Sequence, residues 1–234
     1  MKRLAWQTRE PGHFEVDLVQ HGGASASGEY VHTLQMVDVA TGWSERVAVL
    51  GRGQRAMEAG FRRILGRLPF PVLELHPDNG GEFFNDHHLR FWGEGIVGLT
   101  LSRSRPDHKN DNRLVEQKND TFVRAYVGYG RLDTAAQAVA LNRRYERLWA
   151  CYNLFQPVLH LAEKALTADT VRRKWDTAVT PYQRLSATNA LGTDWRATLD
   201  ALHARTNPRR LRRDIYRDLA RPWRPASVAA LAAD

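Results

Sequence analysis

Apolar and polar residues alternate along positions 13–20. Phe14, Val16 and Leu18 fall on one side of an extended chain, and Glu15, Asp17 and Val19 on the other. This period predicts a half-buried strand. Residues 30–39 and 43–50 repeat the pattern, separated by Thr41-Gly42, and the three strands predict an antiparallel meander. Between 54 and 68 the period lengthens. Met57, Phe61, Ile64, Leu65 and Leu68 recur at helical spacing, and Pro69 ends the run. A strand over 72–76, a helix over 84–94 and a strand over 97–102 follow. The next helix, over 113–127, has Val115, Asn119, Phe122 and Tyr126 as its stripe. A long helix over 134–155 carries Ala138, Leu141, Tyr145, Leu148, Tyr152 and Phe155 on one face, read as core. The order β-β-β-α-β-α-β-α predicts a mixed α/β fold: a five-stranded mixed sheet flanked by helices.

Residues 158–234 change character. They are poor in β-branched residues, rich in arginine, and read as a basic, mostly helical C-terminal extension. Thr180-Pro181 has the form of an N-cap followed by proline at the first helical position. Residues 194–204 read as a helix, and Asn207-Pro208 opens a last one with Leu211, Ile215 and Leu219 as its stripe. Arg209, Arg210, Arg212, Arg213 and Arg217 crowd its other faces. That run reads either as a solvated surface helix or as a phosphate-contacting one.

The chain has 234 residues and a formal net charge of +8, which directs attention to an anionic partner, nucleic acid first. Its one cysteine, Cys151, excludes an intramolecular disulfide and a zinc site built on paired cysteines. No apolar run approaches the roughly 20 residues of a membrane span, and no signal-type apolar segment follows Met1-Lys2-Arg3. A cytoplasmic protein without a membrane partner is expected.

Candidate chemistry centres on three acids. Asp17 lies inside Phe14-Glu15-Val16-Asp17-Leu18, where an acid is costly unless paired or metal-bound. Asp78 follows a β-rich run ending at His76-Pro77 and precedes the turn signal Asn79-Gly80-Gly81. Glu116 falls in the first turns of the helix over 113–127, where the positive helix end favours a carboxylate. Taken singly, Asp17 also reads as an outward acid on a polar strand face and Glu116 as a helix-start charge. Asp38, before Thr41-Gly42, reads as a turn-initiating residue rather than a further acid of the site.

The linked stretches Asp78-Asn79-Gly80-Gly81-Glu82-Phe83 and Val115-Glu116-Gln117-Lys118-Asn119, with Asp17 upstream, resemble the integrase core. That core is shared by retroviral integrases and the DDE transposases of bacterial insertion sequences, and its fold is ribonuclease-H-like. The resemblance covers about residues 10–160. Between Asp78 and Glu116 lie 37 residues, two more than is usual in the family, and the excess is placed in the loop 105–113.

The resemblance implies a catalytic and metal-binding triad of Asp17, Asp78 and Glu116, working on DNA phosphodiesters by strand cleavage and strand transfer. Three acids in one place repel, at about 4 kcal/mol for a pair about 4 Å apart in an effective dielectric near 20. Oxygen ligands suit Mg²⁺ or Mn²⁺, and two ions during catalysis would serve the attacking and leaving oxygens. Around the triad, Asn79 and Gly80 would let the backbone approach DNA. Arg103, Arg105 and Lys109 would position phosphates, and Lys118 and Asn119 would meet phosphate or base. Arg209, Arg210, Arg212 and Arg213 complete the expected DNA-binding set. DNA is the expected partner, with a homo-oligomer assembled on it.

The expected organisation is a leader over 1–12, an integrase catalytic core over 13–157 and the arginine-rich extension over 158–234. Family members usually carry an N-terminal helix-turn-helix reader. Residues 1–12 leave no room for one, so a fragment, a truncated gene or one frame of a split element is expected. The competing readings are a stand-alone nuclease of the same fold and a catalytically silent DNA-binding remnant.

Overall fold

The computed structural model describes residues 8–77, 99–102, 113–167 and 170–220. Its main sheet has strand order β3-β2-β1-β4-β5. The strands are β1 (His13–Gln20), β2 (Val31–Asp38), β3 (Ser44–Leu50), β4 (Glu74–Pro77) and β5 (Thr100–Leu101). β1, β2 and β3 are antiparallel neighbours, whereas β4 and β5 join β1 in parallel. This is the mixed five-stranded sheet that the periodicity predicts. Pro77 ends β4 from inside the ladder, paired with Val16, rather than just beyond it. The helix expected over 84–94 lies outside the described residues.

Each face of the sheet has its own core. Phe14, Val16, Leu34, Met36 and Val47 pack against α1 (Gln54–Leu65) through Met57, Phe61 and Ile64. Gly60 permits that close approach: a Cβ there would stand 3.1 Å from Val49 Cγ1 and 3.3 Å from Val47 Cγ1. On the opposite face, Val31 and Ala48 pack against Leu141, Tyr145 and Leu148 of α3 (Ala135–Ala150). The last helix joins this second cluster through Ile215 and Leu211.

The outer edge of β3 is closed by side-chain amides. Asn142 bonds the N–H and C=O of Ala48 at 2.9 and 2.8 Å, and Asn153 bonds those of Ser44 at 2.9 and 3.0 Å. Between them Arg67 donates to the Arg46 carbonyl at 2.6 Å. These partners replace the strand that an open edge would otherwise recruit. Below the edge, the buried Glu45 carboxylate accepts from Arg67 at 2.5 Å, Trp43 at 2.9 Å and Trp149 at 2.7 Å.

The helix expected over 113–127 is not uniform. It begins as α2 (Arg113–Lys118), widens to a π-helix over Asn119–Arg124, and closes with a turn over Ala125–Val127. Val115 and Val123 are both buried. Residues spaced by four drift around a regular α-helix, at about 3.6 residues per turn, and the wider π turn brings them back in line. Val123, absent from the predicted stripe, therefore faces the sheet. The long helix ends likewise, in a π turn over Cys151–Phe155 that buries Tyr152, Asn153 and Leu154 in succession.

The extension departs from its predicted helical character at the start. β6 (Leu161–Thr167) and β7 (Thr170–Trp175) form a separate antiparallel hairpin. The Ala, Glu, Lys and Leu of β6 favour helix when read alone; pairing with β7, which only the fold supplies, overrides that preference. Beyond it, the expected helices are present as α4 (Pro181–Ser186), α5 (Thr193–Arg205) and α6 (Pro208–Leu219). Thr180 caps α4 in a capping box with Gln183, and the Asn207 side chain accepts from the Arg210 N–H at 3.0 Å to cap α6. Leu185, Leu191 and Leu199 enter the same core as Phe14 and Phe61.

Candidate active site

The antiparallel register sets Asp17, Gln35 and Arg46 side by side on β1, β2 and β3. The parallel register sets His13 beside Glu74 and Glu15 beside His76. One sheet face is therefore polar from its centre toward β5, where the Ser102 hydroxyl bonds both Glu74 and His76. The His13 ring meets Glu74 at 2.9 Å.

α2 and its π extension cross this face. The Val115 N–H, in the helix's first turn, donates to the buried Glu15 carboxylate at 2.9 Å. One turn on, the Asn119 amide donates to Asp17 Oδ2 at 2.5 Å, and Asp17 Oδ1 accepts from the Leu18 N–H at 2.7 Å. Glu116 lies between these two anchors and is exposed. It precedes Asn119 by three residues, the spacing of neighbours on a helix surface. The elements bearing Asp17 and Glu116 are thus fastened together. Glu15, two positions from Asp17 on the same strand face, was the legible clue to one of these fastenings.

Behind the acids stands a buried basic and aromatic cluster. Arg46 is fully buried, its guanidinium 5.0 Å from the Phe122 ring centre and 5.8 Å from that of Tyr152. Lys118 Nζ lies 5.1 Å from the Tyr152 ring centre and 5.7 Å from that of Phe122. Burial, aided by the Arg46 charge, lowers the Lys118 ammonium to about 8. Gln35 and Arg46 join the site through strand register, which no local motif announces.

Asp38 keeps to its turn. It is buried and accepts from the Gly12 N–H at 2.8 Å, the Thr41 N–H at 2.8 Å and the Thr41 hydroxyl at 2.6 Å. Burial raises its carboxyl to about 6 against the pull of these donors.

Of the other predicted site residues, Asp78, Asn79, Gly80, Arg103, Arg105 and Lys109 lie outside the described residues. Asp78 follows Pro77, the strand residue paired with Val16, which itself precedes Asp17. Arg209, Arg210, Arg212 and Arg213 are exposed on α6, which is held to α3 by Arg147–Asp218 and by Arg144 donating to the Asp218 carbonyl at 2.9 Å.

Among the described residues no three His, Cys, Asp or Glu side chains form a metal-holding group. The donors that are present still fit a hard divalent cation. The Asp17 carboxylate and Asn119 Oδ1, which is buried without a hydrogen-bond partner among the described residues, are hard oxygen donors. Nor is any described helix long and apolar enough to cross a membrane.

No protein-family model matches the chain. It is 39% identical over 179 residues to the uncharacterized protein y4rM of Sinorhizobium fredii, a match that takes in 76% of this chain and 51% of y4rM. The chain therefore spans about half the length of that curated relative. Among solved structures it resembles a chain of the simian T-cell lymphotropic virus intasome, solved in complex with the PP2A regulatory subunit B56 gamma. That likeness has a TM-score of 0.53 at 12% identity, covering 82% of this chain and 59% of that one. The catalytic core domain of BIV integrase aligns over 75% of this chain and 95% of its own length, with a TM-score of 0.45 at 16% identity. Together with the strand order, the intasome likeness identifies the fold: this chain has the mixed five-stranded, helix-flanked sheet found in that intasome chain.

Proposed function

We propose that this chain is the catalytic core of a transposase- or integrase-type enzyme that cuts and joins DNA strands, with Asp17, Asp78 and Glu116 as its metal-holding acids. The observation that carries this reading is the hydrogen bond from Asn119 to Asp17 at 2.5 Å. It ties the helix of Glu116 to the strand of Asp17, on the polar face of an integrase-type sheet. Asn119 orients the Asp17 carboxylate, and Glu15 holds the start of α2 in place through the Val115 N–H. Glu116 is exposed, as a group that meets a nucleic-acid substrate must be. Divalent cations, Mg²⁺ or Mn²⁺, when bound would activate the attacking oxygen and neutralise the leaving one. Exposed arginines on α6 supply charge for phosphates.

The test is Mg²⁺-dependent joining of a DNA 3′-hydroxyl end to a target duplex. Asp17→Asn, Asp78→Asn and Glu116→Gln should each reduce joining to background while circular dichroism stays native. Joining retained by any of the three refutes the assigned triad.

A further inference from the structure

The β6–β7 hairpin belongs to no part of the main sheet, and its exposed side chains call for a partner. Arg172, Arg173, Lys174 and Trp175 follow one another along β7, all exposed, with Trp175 at 50%. Strand alternation puts Arg172 and Lys174 on one face of the ribbon and Arg173 and Trp175 on the other. Both faces are therefore cationic. The register sets the exposed Glu163 opposite Lys174, so one of these three cations has an acid across the ribbon.

The ribbon has a rigid base. The His160 N–H donates to Asp176 Oδ1 at 2.8 Å, and the Asp176 N–H to the His160 carbonyl at 3.0 Å. Arg184 donates to both Asp176 oxygens at 2.6 and 3.1 Å, and to the Val158 carbonyl at 2.9 Å. His160 also stands against the β2–β3 turn, where a Cβ on Gly42 would lie 3.1 Å from its Nε2. That turn leads into Ser44, which Asn153 bonds at 2.9 and 3.0 Å, and the ring centre of the neighbouring Tyr152 lies 5.1 Å from Lys118 Nζ. The hairpin thus springs from beside the β2–β3 turn, on the side where Tyr152 meets Lys118, held at its root and exposed over 172–175.

We infer that the β6–β7 ribbon is a duplex-DNA contact that enters a groove beside the candidate active site, with Arg172, Arg173 and Lys174 reaching the phosphates. A two-stranded ribbon fits the major groove of B-DNA, and that groove is walled by a phosphate strand on each side. An acidic protein surface or a lipid headgroup layer would engage one face and leave the other cations unmatched. The exposed Trp175 and Leu159, at 50% and 52%, supply apolar contact for sugar or base edges. This inference rests on the proposed action on DNA.

The experiment uses the full chain and a linear duplex, with binding followed by fluorescence anisotropy over a range of salt. The triple variant Arg172→Gln, Arg173→Gln, Lys174→Gln should lower the slope of log affinity against log salt by about 3 and weaken binding about 10-fold or more near physiological salt. A second measurement needs no variant: duplex should protect the backbone amides of 161–175 from hydrogen exchange in the unaltered protein. A slope unchanged in a variant that melts like the parent overturns the ribbon contact, as does absence of amide protection while the parent binds duplex. A parent chain that binds no duplex overturns the ribbon contact too. Failure of the active-site reading is seen elsewhere, as DNA joining that survives the acid substitutions.

Discussion

Arg46 and Arg172 carry the same guanidinium and meet opposite surroundings. Arg46 is fully buried in β3, stacked on Phe122 and Tyr152, with its Nη2 on the Ser44 hydroxyl at 2.8 Å. Arg172 lies exposed on β7, in a row of cations. The same contrast separates Arg67, latched to buried Glu45, from the arginines of α6. Buried charge in this protein organises the sheet edge and the helix that bears Glu116. Exposed charge does little for the fold and, in the proposed function, meets an external anion. Removing a buried partner strands a charge in low dielectric, whereas removing an exposed one mostly changes what the surface attracts.

That contrast can be broken by experiment. Arg67→Ala leaves Glu45 buried against two tryptophans without its cation, and should cost about 3 kcal/mol or more in denaturant unfolding. A loss under about 1 kcal/mol would mean that the edge latch is incidental.

Acid supplies the next effect. His21 is buried, bonded to Thr33 at 2.8 Å, and its imidazole is lowered from 6.5 to about 3 by burial first and by the charges of Arg124 and His32 after it. A folded value below the unfolded one means that the unfolded chain binds the proton first. The stability contribution of neutral His21 is therefore complete above pH 6.5 and is lost as pH falls toward 3. Urea midpoints should drop between pH 6.5 and 4, and His21→Gln should flatten that slope. An unflattened slope would assign the acid sensitivity to other groups.

Smallest for the fold is the quadruple replacement of Arg209, Arg210, Arg212 and Arg213 by Gln. Stability should stay within about 0.5 kcal/mol, while the salt slope of DNA binding falls by about 4. A large loss of stability would show these arginines to be structural, and an unchanged slope would remove α6 from the DNA surface.

Local pattern was sufficient wherever a single element decided its own fate. The alternation in 13–20 marks the apolar side of β1 that meets α1, although the fold buries the other side as well and the strand is not half-buried. The stripe Met57, Phe61, Ile64 specifies the side its helix buries, and the caps at Thr180 and Asn207 need only neighbours in the chain. The placing of Asp17 inside a strand and of Glu116 early in a helix was legible for the same reason, whereas the central position of that strand came from the topology. The features that needed the folded molecule are those made by distant partners. Asn119 reaches Asp17 across 102 positions and Val115 reaches Glu15 across 100, and no short-range signal encodes either contact. The π turn at Asn119–Arg124 and the β6–β7 pairing belong with them. Periodicity reports what a segment prefers by itself, and these features exist because packing against another segment outweighs that preference.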